Sequence, residues 1–281
     1  MVRLIAFLVG VFFSGMLLIG LGDTIIGAIK EPAVPTAEHE FHKMPLAEKF
    51  PHDGPLGKYN KGQLQRGLKV YSEVCSACHS LKLVSFRDFA ALGYNEEQVK
   101  ALAKGWKTEV PSINPETGEP ATRPGIPADR IPSPFPNEVA ARAANNNALP
   151  PDLSLITKAR ADGPAYVYSL LIGYEETQPA ELLKKFPDAK TPDGLHYNPY
   201  FANLNIAMAA PLAADDQVTY DDGTKATKAQ MAKDVAAFLT WTAEPKMENR
   251  KSAGWAALIF LIIFTGLAWM SYKSIWTDKK H

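Results

Sequence analysis

The sequence predicts a mainly α-helical domain with long irregular insertions, followed by a C-terminal transmembrane helix. Three observations support this fold class: amphipathic helical patterns in the middle of the chain, a proline-rich stretch without such a pattern, and a long uncharged segment near the end. With 281 residues, of which 46% are hydrophobic and 21% charged, the composition is that of a folded chain. It excludes a disordered or collagen-like protein.

The first element is an apolar segment at residues 4–22, which is uncharged and preceded by Arg3. A short basic start and an apolar run are typical of a secretory signal peptide, but no clear Ala-x-Ala cleavage site follows, and the length also suits a retained membrane span. On either interpretation Arg3 stays inside and the chain after residue 30 is exported. We therefore assign residues 1–30 to a signal peptide or a membrane segment.

The next element is a predicted helix at residues 61–74. Leu64, Leu68 and Tyr71 recur with helical spacing on one face, and the pattern runs directly into Cys75. An apolar stripe of this kind predicts a helix that packs one face against a core.

Two further helices are predicted later in the chain. Pro164 suits the first helical position of a segment that continues to about residue 174. Another helix begins near Thr227 and ends at Pro245, and it is the clearest helix of the extramembrane part. Its apolar stripe contains Met231, Val235, Phe238, Leu239 and Thr242.

Between the first and second of these helices the chain is rich in proline. Ten of the 22 prolines lie between Pro111 and Pro151, a density that excludes regular helix and any central strand. A long irregular segment inside a compact domain needs something to wrap around. Further on, Asp222 and Gly223 are typical of a tight turn, which we expect in a small hairpin.

The last element is the uncharged segment at residues 252–272, which as a helix spans about 31 Å and matches the thickness of a bilayer. A buried core helix is the alternative, but flanking cations, aromatic residues near the ends and the lack of a polar face disfavour it. The sequence thus predicts a domain at residues 31–249 and an anchor with a short cytoplasmic tail at 250–281. The tail's cations are Lys273, Lys279 and Lys280.

The charges are balanced overall, with 30 basic and 30 acidic residues. Within residues 31–249, however, 23 basic residues face 28 acidic ones, a net charge of −5. A mildly acidic domain argues against nucleic acid as a partner and favours a basic one.

The chemistry concentrates at Cys75, Cys78 and His79, where the chain's only two cysteines form a Cys-x-x-Cys-His motif. Two thiols at this spacing can add to the vinyl groups of a haem, and the next residue then provides the proximal imidazole. A thioredoxin-like redox pair would need a preceding βαβ pattern, and a zinc site would need two more nearby ligands. The sequence contains neither, so it predicts a c-type haem.

The sixth iron ligand decides between electron transfer and catalysis, because an open position would bind substrates or gases. Met231 is most simply a core residue, while Met44, Met247 and the early histidines lie near the domain edges, where exposure is expected. Met208 is favoured because it lies in a loop of small residues that ends in proline. The full set of candidates is Met44, Met208, Met231, Met247, His39, His42, His52 and His196.

These motifs resemble those of the cytochrome c1 family, the membrane-anchored haem subunits of ubiquinol-cytochrome c reductase, or bc1 complex. The resemblance covers nearly all of residues 60–272 in the order of the family. The matching stretches are residues 66–71, 75–80, 143–154, 166–171, 198–201, 206–208, and 221–224 through 244–245. Asn147 stands where the family usually has glycine, and residues 175–196 form an insertion without a counterpart.

The resemblance implies a class I cytochrome c-like domain that holds one covalent haem c. Cys75 and Cys78 would attach the haem, and His79 and Met208 would ligate its iron. Arg160 and Tyr166 match positions that contact the haem propionates in the family. Residues 145–154 would pack against the haem, and the haem would thus be the group around which the irregular proline-rich stretch folds.

The resemblance also implies a function in respiratory electron transport. The chain would accept electrons from a Rieske iron-sulfur protein and pass them to a cytochrome c, next to cytochrome b in the bacterial inner membrane, with its haem domain in the periplasm. It would be a redox subunit without catalysis of its own. The alternatives are a free-standing membrane cytochrome c that feeds an oxidase, and a haem peroxidase or ligand sensor with an open sixth position.

Overall fold

The computed structural model describes residues 1–32 and 34–277, so the predicted tail residues Lys279 and Lys280 lie outside the described part. Among these described residues helices predominate and the sheet is confined to two short antiparallel pairs, which confirms the predicted fold class. The helices are α1 (Val2–Lys30), α2 (Ala37–Phe41), α3 (Lys61–Glu73), α4 (Glu96–Lys104), α5 (Glu138–Ala144), α6 (Gly163–Ile172), α7 (Ala180–Lys185), α8 (Lys228–Ala243) and α9 (Met247–Trp276). The strands are β1 (Val110–Ile113), β2 (Pro120–Arg123), β3 (His196–Tyr197) and β4 (Asn205–Ile206).

The centre of the domain is the contact between α3 and α8. Each helix begins at a capping side chain, since Asn60 accepts a bond from the Gln63 amide and Thr227 accepts one from the Gln230 amide. The helices approach so closely that a Cβ atom on Gly67 would lie 2.1 Å from the Asp234 carbonyl oxygen. The helices predicted from the stripes of Leu64 and Met231 are therefore confirmed, and they form one core.

The helix predicted at Pro164 is α6, which packs on α8. It begins one residue earlier than predicted, at Gly163, and it ends at Ile172 with Gly173 as its C-cap. Val167 and Tyr168 belong to the main core, so α6 extends that core toward the second half of the chain.

The proline-rich stretch is largely irregular, but the prediction that it contains no regular helix is wrong, and so is the hairpin predicted at Asp222. Helix α5 forms because residues 137–149 contain no proline. The Asp222 turn is present, but no strand flanks it in the described residues, so it is not a hairpin. Instead the Asp222 carboxylate accepts bonds from the Thr224 amide at 3.0 Å and from the Arg66 guanidinium at 2.7 Å.

Helices α1 and α9 are long and apolar enough to cross a membrane, and neither is buried in the protein. The anchor helix begins within the domain, since Met247 is 4% exposed. The Lys251 ammonium donates to the His52 carbonyl at 2.7 Å, and the Trp255 indole donates to the Pro55 carbonyl at 3.3 Å. The segment before α3 therefore holds the start of the anchor.

The insertion at residues 175–196, which the sequence could not place, takes part in a second hydrophobic cluster that we call the satellite core. It lies apart from the main core, and Lys185 of α7 forms an ion pair with Glu40 of α2 at its edge. The cluster brings the N-terminal part of the domain next to the strand pair β3–β4. Its buried members are Ala37, Leu182, Tyr197 and Leu204, and Phe41, Leu183, Phe186 and Ala189 pack against them.

Candidate functional site

Cys75 and Cys78 lie on a 3-10 turn that continues directly from α3. The Cys78 and His79 amides both donate to the Cys75 carbonyl, at 3.1 and 2.9 Å, so the turn places the two cysteines and the histidine together. Cys78 is exposed and Cys75 is half-buried against the main core. Burial raises the pKa of the Cys75 thiol to about 12, and the neighbouring Cys78 adds to this rise.

The His79 ring is oriented by a single hydrogen bond, in which Nδ1 lies 2.9 Å from the Pro151 carbonyl oxygen. A carbonyl can only accept, so Nδ1 carries the proton and Nε2 keeps its lone pair. Burial lowers the pKa of the His79 imidazole, although the Pro151 bond opposes this, and the neutral ring is favoured. A neutral imidazole with Nδ1 bonded to a carbonyl is the form that ligates metals through Nε2.

The segment that supplies the Pro151 carbonyl is fixed next to His79 by Asp152. The Asp152 carboxylate accepts bonds from the Ser80 hydroxyl and the Lys82 amide, both at 2.8 Å, and Leu153 donates to the Ser80 carbonyl at 2.9 Å. Although burial opposes ionisation, hydrogen bonds from Ser154, Lys82 and Ser80 hold the pKa of Asp152 below its ordinary value. These bonds fix the segment at residues 151–154 beside the Cys-x-x-Cys-His motif.

The backbone conformation of Asn147 explains why asparagine can stand where glycine was expected. Its φ is +63°, in the left-handed region, and Asn146 before it has φ +48°. Asparagine is one of the few residues with a side chain that adopt this conformation readily, so it can replace glycine in this turn.

Met208 follows strand β4 and is half-buried. Its carbonyl accepts a hydrogen bond from the Tyr174 hydroxyl at 3.0 Å, which ties the loop to the end of α6. Tyr166, which lies on α6, interacts electrostatically with both Tyr174 and Arg160. Burial raises the pKa of the Tyr166 phenol, and the Arg160 guanidinium opposes that rise.

The predicted site residues therefore form two groups. Cys75, Cys78 and His79 make the first, and Arg160, Tyr166 and Met208 lie in the second. Both groups border the main core, since Cys75 and Tyr166 pack against it. Sequence reasoning missed Tyr71, whose hydroxyl donates to the His79 carbonyl at 2.8 Å, and Tyr174. Tyr71 was visible only as a member of an apolar stripe, and no sequence signal marked Tyr174.

The other ligand candidates fall outside these groups. Met231 is fully buried in the core, as expected, while Met44, His39, His42 and His196 are exposed. The expectation that Met247 and His52 are exposed is wrong, since they are 4% and 5% exposed at the base of α9. Within residues 1–32 and 34–277, no cluster of three or more His, Cys, Asp and Glu side chains could hold a metal ion, as a zinc site would need.

The sequence is similar to those of known proteins. The sequence profile of the Cytochrome C1 family matches residues 50–279. Cytochrome c1 of Rhodospirillum rubrum is 47% identical over 236 residues, which cover 81% of this chain and 86% of that protein. Cytochrome c1 1, heme protein, mitochondrial, of Arabidopsis thaliana is 44% identical over 90% of this chain and 82% of its own length. Cytochrome b/c1 of Bradyrhizobium diazoefficiens is 44% identical over 93% of this chain, which spans 39% of that longer protein.

Proposed function

The chain belongs to the cytochrome c1 family, and we propose on that basis that it is the haem-bearing electron-transfer subunit of a respiratory cytochrome bc1 complex. In this role it accepts electrons from a Rieske iron-sulfur protein, passes them to a cytochrome c and lies next to cytochrome b. Quinol oxidation belongs to the complex, and the chain alone is a redox subunit. The observation that carries the proposal is the His79 ring, whose Nδ1 is held by the Pro151 carbonyl within the Cys-x-x-Cys-His motif.

The residues at the motif fit a c-type haem. Cys75 and Cys78 would hold it through two thioether bonds, and because the chain has two cysteines it would hold one haem. His79 presents a neutral imidazole with a free Nε2 lone pair, which would suit it to ligate the iron. When bound, haem c supplies a one-electron ferric/ferrous couple.

The second group of residues would complete the site. Met208 offers a neutral, soft thioether, which favours ferrous iron, raises the potential and leaves no open position for oxygen or peroxide. Arg160, with its fixed set of donors, and Tyr166 would orient the propionates. Their mutual proximity, evident in the influence of Arg160 on the pKa of Tyr166, supports a shared role.

The domain would be tethered to the bacterial inner membrane by α9, with the haem on the periplasmic side. The length and hydropathy of α9 support the tether, and Arg250 and Lys251 precede its uncharged segment on the side of the domain. Because Lys251 and Trp255 bond to the segment before α3, truncation should follow these residues rather than precede them. We expect such a truncation, combined with removal of residues 1–30 where they are retained, to release a domain that keeps its haem spectrum, and loss of haem would contradict the assignment of the domain at residues 31–249.

The function is tested first by the partners. Purification of the full chain in mild detergent should bring a b-type cytochrome with it, together with quinol-driven reduction of the bound haem. A chain that purifies alone yet donates electrons to an oxidase would contradict membership of a bc1 complex. Acid-acetone treatment should leave the haem on the denatured chain, because thioether bonds survive it.

The sixth ligand is tested by Met208→Leu, which keeps the volume and removes the sulfur. We expect a lower reduction potential, binding of carbon monoxide and loss of quinol-driven electron flow, while the haem stays attached. Met231→Leu is the matched control, since it makes the same exchange in the core and should leave the potential unchanged. If Met208→Leu keeps the native potential and excludes carbon monoxide, Met208 is not the ligand.

A further inference from the structure

Two tyrosine hydroxyls bind the backbone carbonyls of the two residues proposed as iron ligands. Tyr71 donates to the His79 carbonyl at 2.8 Å, and Tyr174 donates to the Met208 carbonyl at 3.0 Å. Tyr71 is fully buried in the main core, whereas Tyr174 is half-buried at the end of α6. The same kind of hydrogen bond is thus made to both proposed ligands, but the two donor tyrosines differ in how deeply they are buried.

The His79 backbone has other restraints besides Tyr71. Its amide donates to the Cys75 carbonyl, its ring binds Pro151, and its neighbour Ser80 bonds to Asp152. Removing one bond there leaves the residue held by the others.

The Met208 loop is fixed mainly at its two ends. It leaves the strand β4 at Ile206 and enters the main core again at Leu212, which is 4% exposed. The Gln217 amide group braces the second end, since it donates to the Pro211 carbonyl and accepts from the Ala213 amide, both at 2.9 Å. In the middle of the loop, small residues flank Met208, and Tyr174 supplies the bond to its carbonyl.

Tyr174 is itself held in place. Before it, Gly173 packs so closely against Tyr200 that a Cβ atom would lie 2.3 Å from the ring. The buried Asn198 side chain donates to the Leu170 carbonyl at 2.8 Å and so ties α6 to strand β3.

We propose that Tyr174 is a positioning residue for the sixth ligand, and that its hydroxyl holds the middle of the Met208 loop so that the thioether stays on the iron. This inference rests on the proposed function, because it takes Met208 as the ligand. Without the bond, the loop between Ile206 and Leu212 can move away more often, and Met208 leaves the iron for a larger fraction of the time.

The test is Tyr174→Phe in the full-length haem protein, which keeps the ring and removes the hydroxyl. Loss of one hydrogen bond should raise the rate of carbon monoxide binding about two- to tenfold and lower the reduction potential. Tyr59→Phe is the matched control, since the Tyr59 hydroxyl also donates to a backbone carbonyl, that of Glu244 at 3.1 Å, at the base of the anchor. It should lower the unfolding temperature to a similar degree and change neither redox property.

The results separate the inference from the proposed function. If Met208→Leu lowers the potential while Tyr174→Phe behaves as the unmodified protein, Met208 is the ligand and the inference about Tyr174 is wrong. An equal shift in potential from Tyr59→Phe would also overturn it, because the effect would then come from stability alone. If Met208→Leu itself changes nothing, the ligand assignment fails and this inference fails with it.

Discussion

On the His79 side of the site the proposed ligand lies between the main core and the segment that the Asp152 carboxylate fixes through its hydrogen bonds, whereas the proposed ligand Met208 lies in a short loop next to the satellite core. Tyr71 beneath His79 is fully buried and stacks on Trp106, while Tyr174 beside Met208 is half-buried. A ligand that many groups hold is insensitive to the loss of any one of them. The Met208 side, held by few groups, is where single substitutions should change the redox properties without unfolding the domain.

The satellite core explains how the Met208 side can be stable with little helix around it. Strands β3 and β4 pair over only two residues each, with His196 opposite Ile206. Tyr197 and Leu204 anchor this pair in the satellite core, 4% and 1% exposed. The insertion at residues 175–196 therefore contributes to the support of Met208 rather than forming a separate appendage.

The largest difference between the two sides is expected from adding one methyl group to a glycine. On Gly67→Ala the new Cβ would meet the Asp234 carbonyl at 2.1 Å and the Phe238 Cβ at 2.6 Å, and α3 would have to move away from α8. We expect a loss of about 3 kcal/mol or more in the free energy of unfolding, and little haem incorporation.

Gly173→Ala is the counterpart on the Met208 side. Its Cβ would lie 2.3 Å from the half-exposed Tyr200 ring and 2.7 Å from the Ser169 carbonyl. The ring can rotate away, so we expect a smaller loss, about 1 kcal/mol, with a shift in reduction potential. Chemical denaturation and redox titration measure both, and a more severe loss for Gly173→Ala would reverse the comparison.

A smaller difference is expected from the polar residue that secures each side, which is the half-buried Asp152 beside His79 and the buried Asn198 on the Met208 side. Asp152→Ala leaves the Ser80 hydroxyl and the Lys82 and Ser154 amides without their acceptor, which should cost about 2–3 kcal/mol. The His79 ring should then lose its fixed orientation.

Asn198→Ala is the matched change on the Met208 side. It leaves the Leu170 carbonyl and the Tyr200 amide unpaired, for about 1–2 kcal/mol. Calorimetry measures the loss of stability in each of the two variants, and spectroscopy of the bound haem shows whether its ligation changes. We expect carbon monoxide binding to increase for Asn198→Ala. If it does not increase in this variant, β3 does not support the Met208 loop.

The sequence predicted the His79 side better than the Met208 side, and the reason is physical. The stripes that define α3 and α8 are periodic and local, and the Cys-x-x-Cys-His spacing carries its own chemistry. Thr227 as the start of α8 and Met231 as a core residue were predicted correctly from such local signals.

The Met208 side depends on contacts between residues far apart in the chain. Tyr174 and Met208 are separated by 34 positions, and Ala37 meets Leu182 in the satellite core. No local periodicity encodes such pairs, so Tyr174 and the role of the insertion could not be predicted. His52 and Met247 were misjudged for the same reason, since both are buried where α9 begins, and there Lys251 bonds to the distant His52 carbonyl.

The smallest expected effect concerns the contribution of charge to the His79 side. Arg66 on α3 binds Asp234 of α8 at 2.8 Å and Asp222 at 2.7 Å. The Thr224 amide and the Arg66 guanidinium hold the pKa of Asp222 at about 2, below the value of about 3.9 for an unfolded chain. Because the folded pKa is the lower one, the stabilisation is complete above about pH 5 and is lost as the pH falls toward 2.

Asp222→Asn should therefore flatten the acid limb of the stability curve slightly, while the protein at pH 7 loses little because the carboxylate is exposed. Asp221→Asn is the control, since it removes only the exposed pair with Lys69 and should leave the acid limb as it is. Thermal unfolding at a series of pH values measures both. If Asp222→Asn instead destabilises the domain at pH 7 as much as Asp152→Ala does, the α3–α8 contact depends on charge rather than on packing, and the contrast between the two sides of the site would need a different physical basis.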